Sequence, residues 1–165
     1  MSHQPVIDGL EFARTGSKLQ GAWPVALFGR LRDVLRTNEG NLQYELAGVP
    51  EERGRPALRL KVDGVLQLVC QRCLGALEFP LRIDVSLQLA ATQAEVDAEP
   101  LDADGPEQIV AGREMQVRDL VEDEVLLAIP LAPRHEQCAG GQARMAGVER
   151  SPFAQLRGMV GGTKH

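Results

Sequence analysis

The sequence is poor in aromatic residues and in cysteine, with one Trp, one Tyr, four Phe and three Cys among 165 residues. Aromatic side chains form the stacking surfaces of many single-strand-binding proteins, so such a surface is poorly supplied here. The first residues, Met1 to Pro5, lack the basic and apolar parts of a signal peptide. Together with the odd number of cysteines, this argues against a disulfide-linked secreted protein. We expect a cytoplasmic protein.

The chain also lacks long apolar runs and the short motifs of common enzyme classes. No apolar stretch approaches the roughly 20 residues that a membrane-spanning helix needs. No phosphate-binding loop, dinucleotide-binding glycine motif, nucleophile elbow or zincin motif occurs. We therefore expect a soluble protein that is not an enzyme, and its length fits a single domain over residues 1–165.

Negative charge is concentrated in one segment. The net charge is −5, yet residues 91–124 alone contain 11 acidic and 2 basic side chains. Residues 91–106 are also poor in large apolar groups, which predicts an acidic, flexible loop. Proteins that coat nucleic acid normally have a basic face, so direct RNA binding would depend on local basic clusters. The basic residues available for it are Arg53, Arg55, Arg59, Lys61 and Arg72.

Alternation of apolar and polar residues predicts an antiparallel sheet between residues 41 and 90. Residues 58–62 alternate between apolar and charged side chains, and a longer alternating run follows at 79–89. The dipeptide Asp63-Gly64 predicts a hairpin turn between two strands. The predicted fold class is α+β, with an antiparallel β-sheet, compatible with a small barrel or sandwich, and peripheral helices.

Helical signals lie on either side of this sheet. Residues 8–17 predict a short helix, and the apolar stripe over 24–35 predicts a second one of about three turns. Residues 119–122 have the form of a capping box, which predicts a helix that ends near Pro130. The remaining predictions are short strands at 18–23 and 107–111, a last helix at 153–159 and a frayed tail at 160–165.

The acidic residues of the helix after position 118 are candidates for partner binding. Asp119, Glu122 and Asp123 fall on the polar side of that helix at this spacing. A metal–carboxylate centre is an alternative, but a capped and solvated helix face explains the same pattern more simply.

All three cysteines and one of the three histidines form two pairs with the same spacing, Cys70 with Cys73 and His135 with Cys138. Two thiolates and a thiolate–imidazole pair are a donor set that structural zinc uses. Two other interpretations remain open: small idle thiols and a redox dithiol, which usually begins a helix, whereas here a strand follows. If zinc binds, its ligand shell is full and leaves no position for an activated water.

These motifs, in this order, resemble those of the bacterial YceD family, described as large ribosomal RNA subunit accumulation proteins. The resemblance extends from about Leu19 to Leu156. It is carried by residues 69–74, 78–81, 119–130, 133–135 and Cys138, and by the Pro-Phe-Ala segment at 151–156.

The resemblance implies a cytoplasmic ribosome biogenesis factor that supports accumulation of large-subunit ribosomal RNA. It brings no established catalytic mechanism. Given the net charge, we expect the acidic segment to contact a basic ribosomal protein or assembly factor of the large subunit, so that contact with ribosomal RNA is indirect. A direct RNA-binding module is the alternative, and a thiol oxidoreductase or metal-dependent nuclease is a third class.

Overall fold

The computed structural model describes residues 4–98 and 106–138. Within these ranges the chain forms an α+β fold dominated by strands, as predicted. The strands are β1 (Val6–Ile7), β2 (Lys18–Pro24), β3 (Leu35–Thr37), β4 (Asn41–Glu52), β5 (Arg55–Val69), β6 (Ala76–Ala90), β7 (Glu107–Val110) and β8 (Met115–Gln116). The helices are α1 (Gly9–Arg14), α2 (Gln93–Ala98) and α3 (Val117–Ala128), with 3-10 turns at Val25–Leu27 and Arg30–Asp33.

A six-stranded sheet carries the fold. Its strand order is β2-β4-β5-β6-β7, with β3 beside the end of β5, and all neighbours are antiparallel except β6 and β7. Within the described ranges the order does not close on itself, so the sheet is open rather than a barrel. Strands β1 and β8 form a separate two-stranded sheet. The predicted strands at 18–23 and 107–111 are confirmed as β2 and β7.

One face of the large sheet is buried, because its apolar residues recur every second position. Leu58, Leu60 and Val62 of β5 are fully buried, while Arg59 and Lys61 point to the opposite face. Helix α3 and the 3-10 turns cover the buried face. They contribute Val117, Val121, Val125, Phe28 and Leu31 to the core.

The predicted hairpin turn at Asp63-Gly64 is wrong, because β5 runs straight through both residues. Gly64 pairs with Leu42 on one side and Leu81 on the other. A Cβ atom on Gly64 would lie 2.5 Å from the Leu42 side chain and 2.9 Å from a backbone oxygen of β4. The glycine is therefore needed for close strand packing, and the real turn lies at Arg53-Gly54, where both φ angles are positive.

The predicted long helix over residues 24–35 is also wrong. The chain there forms two separate 3-10 turns, and Phe28 between them has extended dihedral angles. Val25, Phe28 and Leu31 are all buried, but the extended backbone at Phe28 means that they reach the core from two separate turns and not from one continuous helix. Helix α1 confirms the other N-terminal prediction, and the Asp8 side chain accepts a hydrogen bond from the Glu11 amide at 3.0 Å.

Helix α3 corrects the predicted capping box. It begins at Val117, with Gln116 in the N-cap position and no side-chain cap, so Asp119 lies within the first turn. The amide of Val117 instead donates to the Pro5 carbonyl at 3.1 Å. Helix α3 ends at Ala128, as the sequence predicts.

Residues 93–98 form helix α2, which corrects that part of the flexible loop predicted for 91–106. Residues 99–105 of the predicted loop lie outside the described residues. The predictions for 153–159 and 160–165 lie outside the described residues. The prediction of a single domain over 1–165 stays a prediction.

Candidate metal centre

The first cysteine pair lies in the tight connection between β5 and β6. The two strands pair as far as Val69 and Ala76. Across the connection, the Cys70 amide donates to the Gly75 carbonyl at 3.0 Å, and the Leu74 amide donates to the Cys70 carbonyl at 2.8 Å. Leu74 has a φ of 59°, which lets the chain reverse within a few residues. This knuckle brings the Cys70 and Cys73 thiols to the same side.

The second pair reaches the knuckle through the segment that follows α3. The Gln71 amide donates to the Pro133 carbonyl at 2.8 Å. His135 Nε2 lies 2.8 Å from the Ala76 carbonyl oxygen. These two bonds hold the segment along the start of β6, and they place His135 and Cys138 opposite the first cysteine pair.

The four candidate ligands converge on one point, and their donor atoms all lie within 4.8 Å of one another. The Cys70 and Cys138 sulfurs are 3.7 Å apart. His135 Nδ1 lies 3.4 Å from the Cys73 sulfur and 3.8 Å from the Cys138 sulfur. Zinc bonds of about 2.3 Å to sulfur and about 2.1 Å to nitrogen would give tetrahedral edges of about 3.8 Å and 3.6 Å. The donor spacing is therefore compatible with a tetrahedral metal site.

The orientation of the His135 ring suits metal binding. A carbonyl oxygen can only accept, so Nε2 carries the proton that it donates to Ala76. In the neutral ring, Nδ1 then presents its lone pair to the cysteine sulfurs. A histidine ligand held by a backbone carbonyl through its other nitrogen is the usual arrangement at metal centres.

The surroundings favour the thiolate form of two of the cysteines. Burial alone raises the pKa of Cys70, but backbone hydrogen bonds from Cys73, His135 and Arg72 outweigh it and lower this pKa to about 5. The Arg72 guanidinium lowers the pKa of Cys138 below its ordinary value. Thiolates are the form that binds metal. All three cysteines are free, and the knuckle joins two strands, which is not the helix start that a redox dithiol uses.

The chain is similar to a known protein family. The model of the YceD family, described as large ribosomal RNA subunit accumulation protein YceD, matches residues 58–157, which is more than half of the chain. The chain belongs to the YceD family. It matches no curated protein and no solved structure. The description of the YceD family names rRNA accumulation and no catalytic activity.

The predicted partner-binding residues of this YceD-family chain differ in exposure. Asp119 and Asp123 are exposed on α3, whereas Glu122 is only 5% exposed. The carboxylate of Glu122 accepts from the Arg30 amide at 2.6 Å and from Arg30 Nε at 3.0 Å. The expectation that Glu122 lies on a solvated face is therefore wrong, because it is committed to an internal ion pair. Its part in partner binding stays a prediction.

The predicted RNA-binding residues do not form one patch. Arg53 and Arg55 lie at the β4–β5 hairpin, at one end of β5, and Arg72 lies beyond its other end. Arg59 forms a two-point ion pair with Asp84, at 2.9 and 3.0 Å. Lys61 lies in register between Glu45 and Asp84. The outer face of the sheet is therefore mixed in charge.

Two arginine contacts escaped prediction from the sequence. The sequence places Arg72 among the RNA-binding candidates, yet it contacts Cys138. Its position between the two cysteines of the first pair is the signal that points to this contact. Arg30 contacts Glu122 across 92 residues of sequence, and nothing local in the sequence indicates that contact. In the described part of the chain, no helix has the length and apolar character needed to cross a membrane.

Proposed function

We propose that Cys70, Cys73, His135 and Cys138 bind one structural zinc ion. The donor set and its spacing support this proposal. With four protein ligands the ion has no open position for substrate or water, so it serves to join the knuckle to the segment after α3. Protein purified without chelator should contain about one zinc per chain.

The metal analysis has a direct test and a matched control. Cys138→Ser removes one ligand and should lower the zinc content well below one equivalent. Gln137→Ala changes an exposed neighbour of the same ligand and should keep full zinc content. Wild-type protein with far less than one equivalent, or Cys138→Ser with unchanged metal, would contradict the zinc proposal.

We further propose that the protein is a cytoplasmic, non-catalytic ribosome biogenesis factor that supports synthesis, processing or accumulation of large-subunit ribosomal RNA. The observation that carries this proposal is the match of residues 58–157 to the YceD family. The proposed zinc site supports the non-catalytic part, because its four protein ligands leave no open position for a substrate.

The factor acts through protein contacts, with a basic ribosomal protein or an assembly factor of the large subunit as partner. Asp119 and Asp123 are exposed on α3, although they also pair with Arg118 and Arg30. Glu107 and Glu114 add two exposed carboxylates in the preceding segment. This surface suits a partner rich in Lys and Arg. The mixed charge of the outer sheet face supports a protein-mediated route over direct RNA contact, because phosphate binding needs uncompensated cations.

Affinity purification with and without RNase tests this route. Large-subunit proteins should remain bound to the tagged chain after RNase treatment. The variant Asp119→Asn/Asp123→Asn should recover several-fold less of them. Its matched control, Glu45→Gln/Glu78→Gln, removes the same charge from exposed positions on the sheet and should behave as wild type. Equal recovery by both variants would contradict the acidic surface.

Loss of every partner upon RNase treatment would favour direct RNA binding instead. A salt titration with large-subunit rRNA fragments would then show a steep loss of affinity with rising salt.

A further inference from the structure

Arg72 lies inside the first cysteine pair and reaches across to the second. Its Nε donates to the Cys138 sulfur at 3.0 Å. Its Nη2 donates to the backbone carbonyls of His135 and Glu136, at 3.1 and 3.4 Å. One side chain therefore contacts a ligand atom and the backbone on which two ligands are mounted.

The chemistry of these contacts requires an arginine. The guanidinium is a planar fork with several N–H donors at fixed angles, so it can serve a sulfur and two carbonyl oxygens at once. A lysine offers a single charged nitrogen and cannot reach all three acceptors in the same geometry.

The charge of the four ligands also favours an arginine at this position. Three thiolates and a neutral imidazole around a divalent cation leave an excess of one negative charge. The Arg72 guanidinium compensates that charge from a position in direct contact with Cys138. Hydrogen bonds to an ionised acceptor are stronger than neutral ones, so this contact holds Cys138 toward the ion.

We propose that Arg72 is a positioning residue of the metal centre, which fixes Cys138 and the 135–136 backbone and balances the charge of the ligands. This inference rests on the proposed zinc site. The Nε and Nη2 donors of Arg72 are already used within the protein, which leaves fewer of its donors for RNA phosphates.

Zinc affinity of the full chain provides the first test. Competition with a chromophoric chelator should show that Arg72→Met binds zinc about 10- to 100-fold more weakly than wild type, as expected for loss of a group that orients a ligand. The control Arg134→Met removes the same charge from an exposed position next to His135 and should stay within twofold of wild type. Equal affinity in Arg72→Met and wild type would overturn the inference.

Cobalt substitution gives a readout that a general loss of stability would not move. An N–H donor lowers the energy of the sulfur lone pair, so its removal should shift the thiolate-to-cobalt charge-transfer band of Arg72→Met to longer wavelength. Arg134→Met should keep the wild-type band. An unchanged band in Arg72→Met would contradict direct contact with the ligand sulfur.

Arg72→Lys separates positioning from charge and keeps the test open if Arg72→Met does not fold. An Arg72→Lys zinc affinity between those of Arg72→Met and wild type supports the fork geometry. If Arg72→Met cannot be measured, an Arg72→Lys affinity several-fold below wild type supports it. Wild-type affinity in Arg72→Lys overturns it, because charge alone would then suffice. If wild-type protein binds no zinc, the zinc proposal itself fails; if it binds one equivalent and Arg72→Met matches it, only this inference fails.

Discussion

Two arginines each join segments that are far apart in the chain, and the chemical settings of the two links differ. Arg72 contacts Cys138 at the exposed end of the sheet, among polar and sulfur atoms. Arg30 contacts Glu122 at the edge of the apolar core, beside α3. If zinc binds as proposed, the first link depends on that ion to hold its thiolates together, whereas the second link is complete without an ion. Arginine contacts with anionic side chains therefore join distant segments in both cases, but only the Arg72 contact is expected to depend on a bound metal.

Metal removal should have the largest effect, and it should act on the first link alone. Zinc present at 1,000 times its dissociation constant would stabilise the folded chain by about 4 kcal/mol. Addition of a strong chelator should therefore lower the melting temperature of wild-type protein markedly. Cys138→Ser should show little further response to chelator, and calorimetry of both proteins checks this. An unchanged melting temperature of wild-type protein in chelator would contradict a metal-dependent first link.

Loss of Glu122 should have the next largest effect, and it should be independent of metal. Glu122→Ala leaves the Arg30 amide and guanidinium without their buried acceptor. Breaking a buried pair costs about 3 to 5 kcal/mol, and we expect about 2 to 3 kcal/mol here because the Arg30 side chain is half-exposed. Denaturant unfolding measures it. Glu114→Ala, at an exposed position, should change stability by less than about 0.5 kcal/mol.

Glu124 shows what happens to a buried carboxylate on the same helix when its charged neighbours are acidic. Burial first, and then Glu107 and Asp123, raise its pKa from 4.5 to about 7. The folded state therefore holds a proton that the unfolded state releases, so this residue makes stability fall as pH rises from about 4.5 to about 7.

Glu124→Gln should remove that slope. At pH 8 the variant should be more stable than wild type by about 1 to 2 kcal/mol, allowing for partial solvent screening. At pH 4 the two proteins should be nearly equal. Denaturant unfolding at both pH values measures the difference, and a variant that is less stable than wild type at pH 8 would contradict the assigned cause.

The cluster of four candidate ligands at the first link was predicted from the sequence, but its Arg72–Cys138 contact was not, and neither was the second link. The equal spacing of Cys70–Cys73 and His135–Cys138 indicates a shared site because tetrahedral coordination needs close-spaced pairs. Strand alternation over 58–62 and 79–89 likewise predicted the sheet, since a buried face requires a period of two. Arg30 and Glu122 have no such local pattern, because only the packing of α3 against the 3-10 turns brings them together.

The two wrong predictions of secondary structure have a common physical cause. Gly64 has the sequence signature of a turn but is a glycine because two neighbouring strands approach closely. The stripe over 24–35 is apolar at spacings that suit a helix, but the extended backbone at buried Phe28 divides the segment into two short 3-10 turns. A local sequence pattern therefore predicts which residues are buried better than it predicts the backbone conformation of those residues.

Substitution of Asp123 should have the smallest effect on stability, and it tests whether the Arg30 link depends on buried or on exposed charges. It also contacts Arg30, but both side chains are about half-exposed, at 51% and 54%. Exposed ion pairs contribute about 0 to 1 kcal/mol, so Asp123→Asn should cost less than about 0.5 kcal/mol. High salt should erase that small difference, since screening weakens exposed pairs more than buried ones. The effect of Glu122→Ala should persist in the same salt. If both effects vanished together, Arg30 would hold α3 through surface electrostatics alone, and its link would be as conditional as that of Arg72.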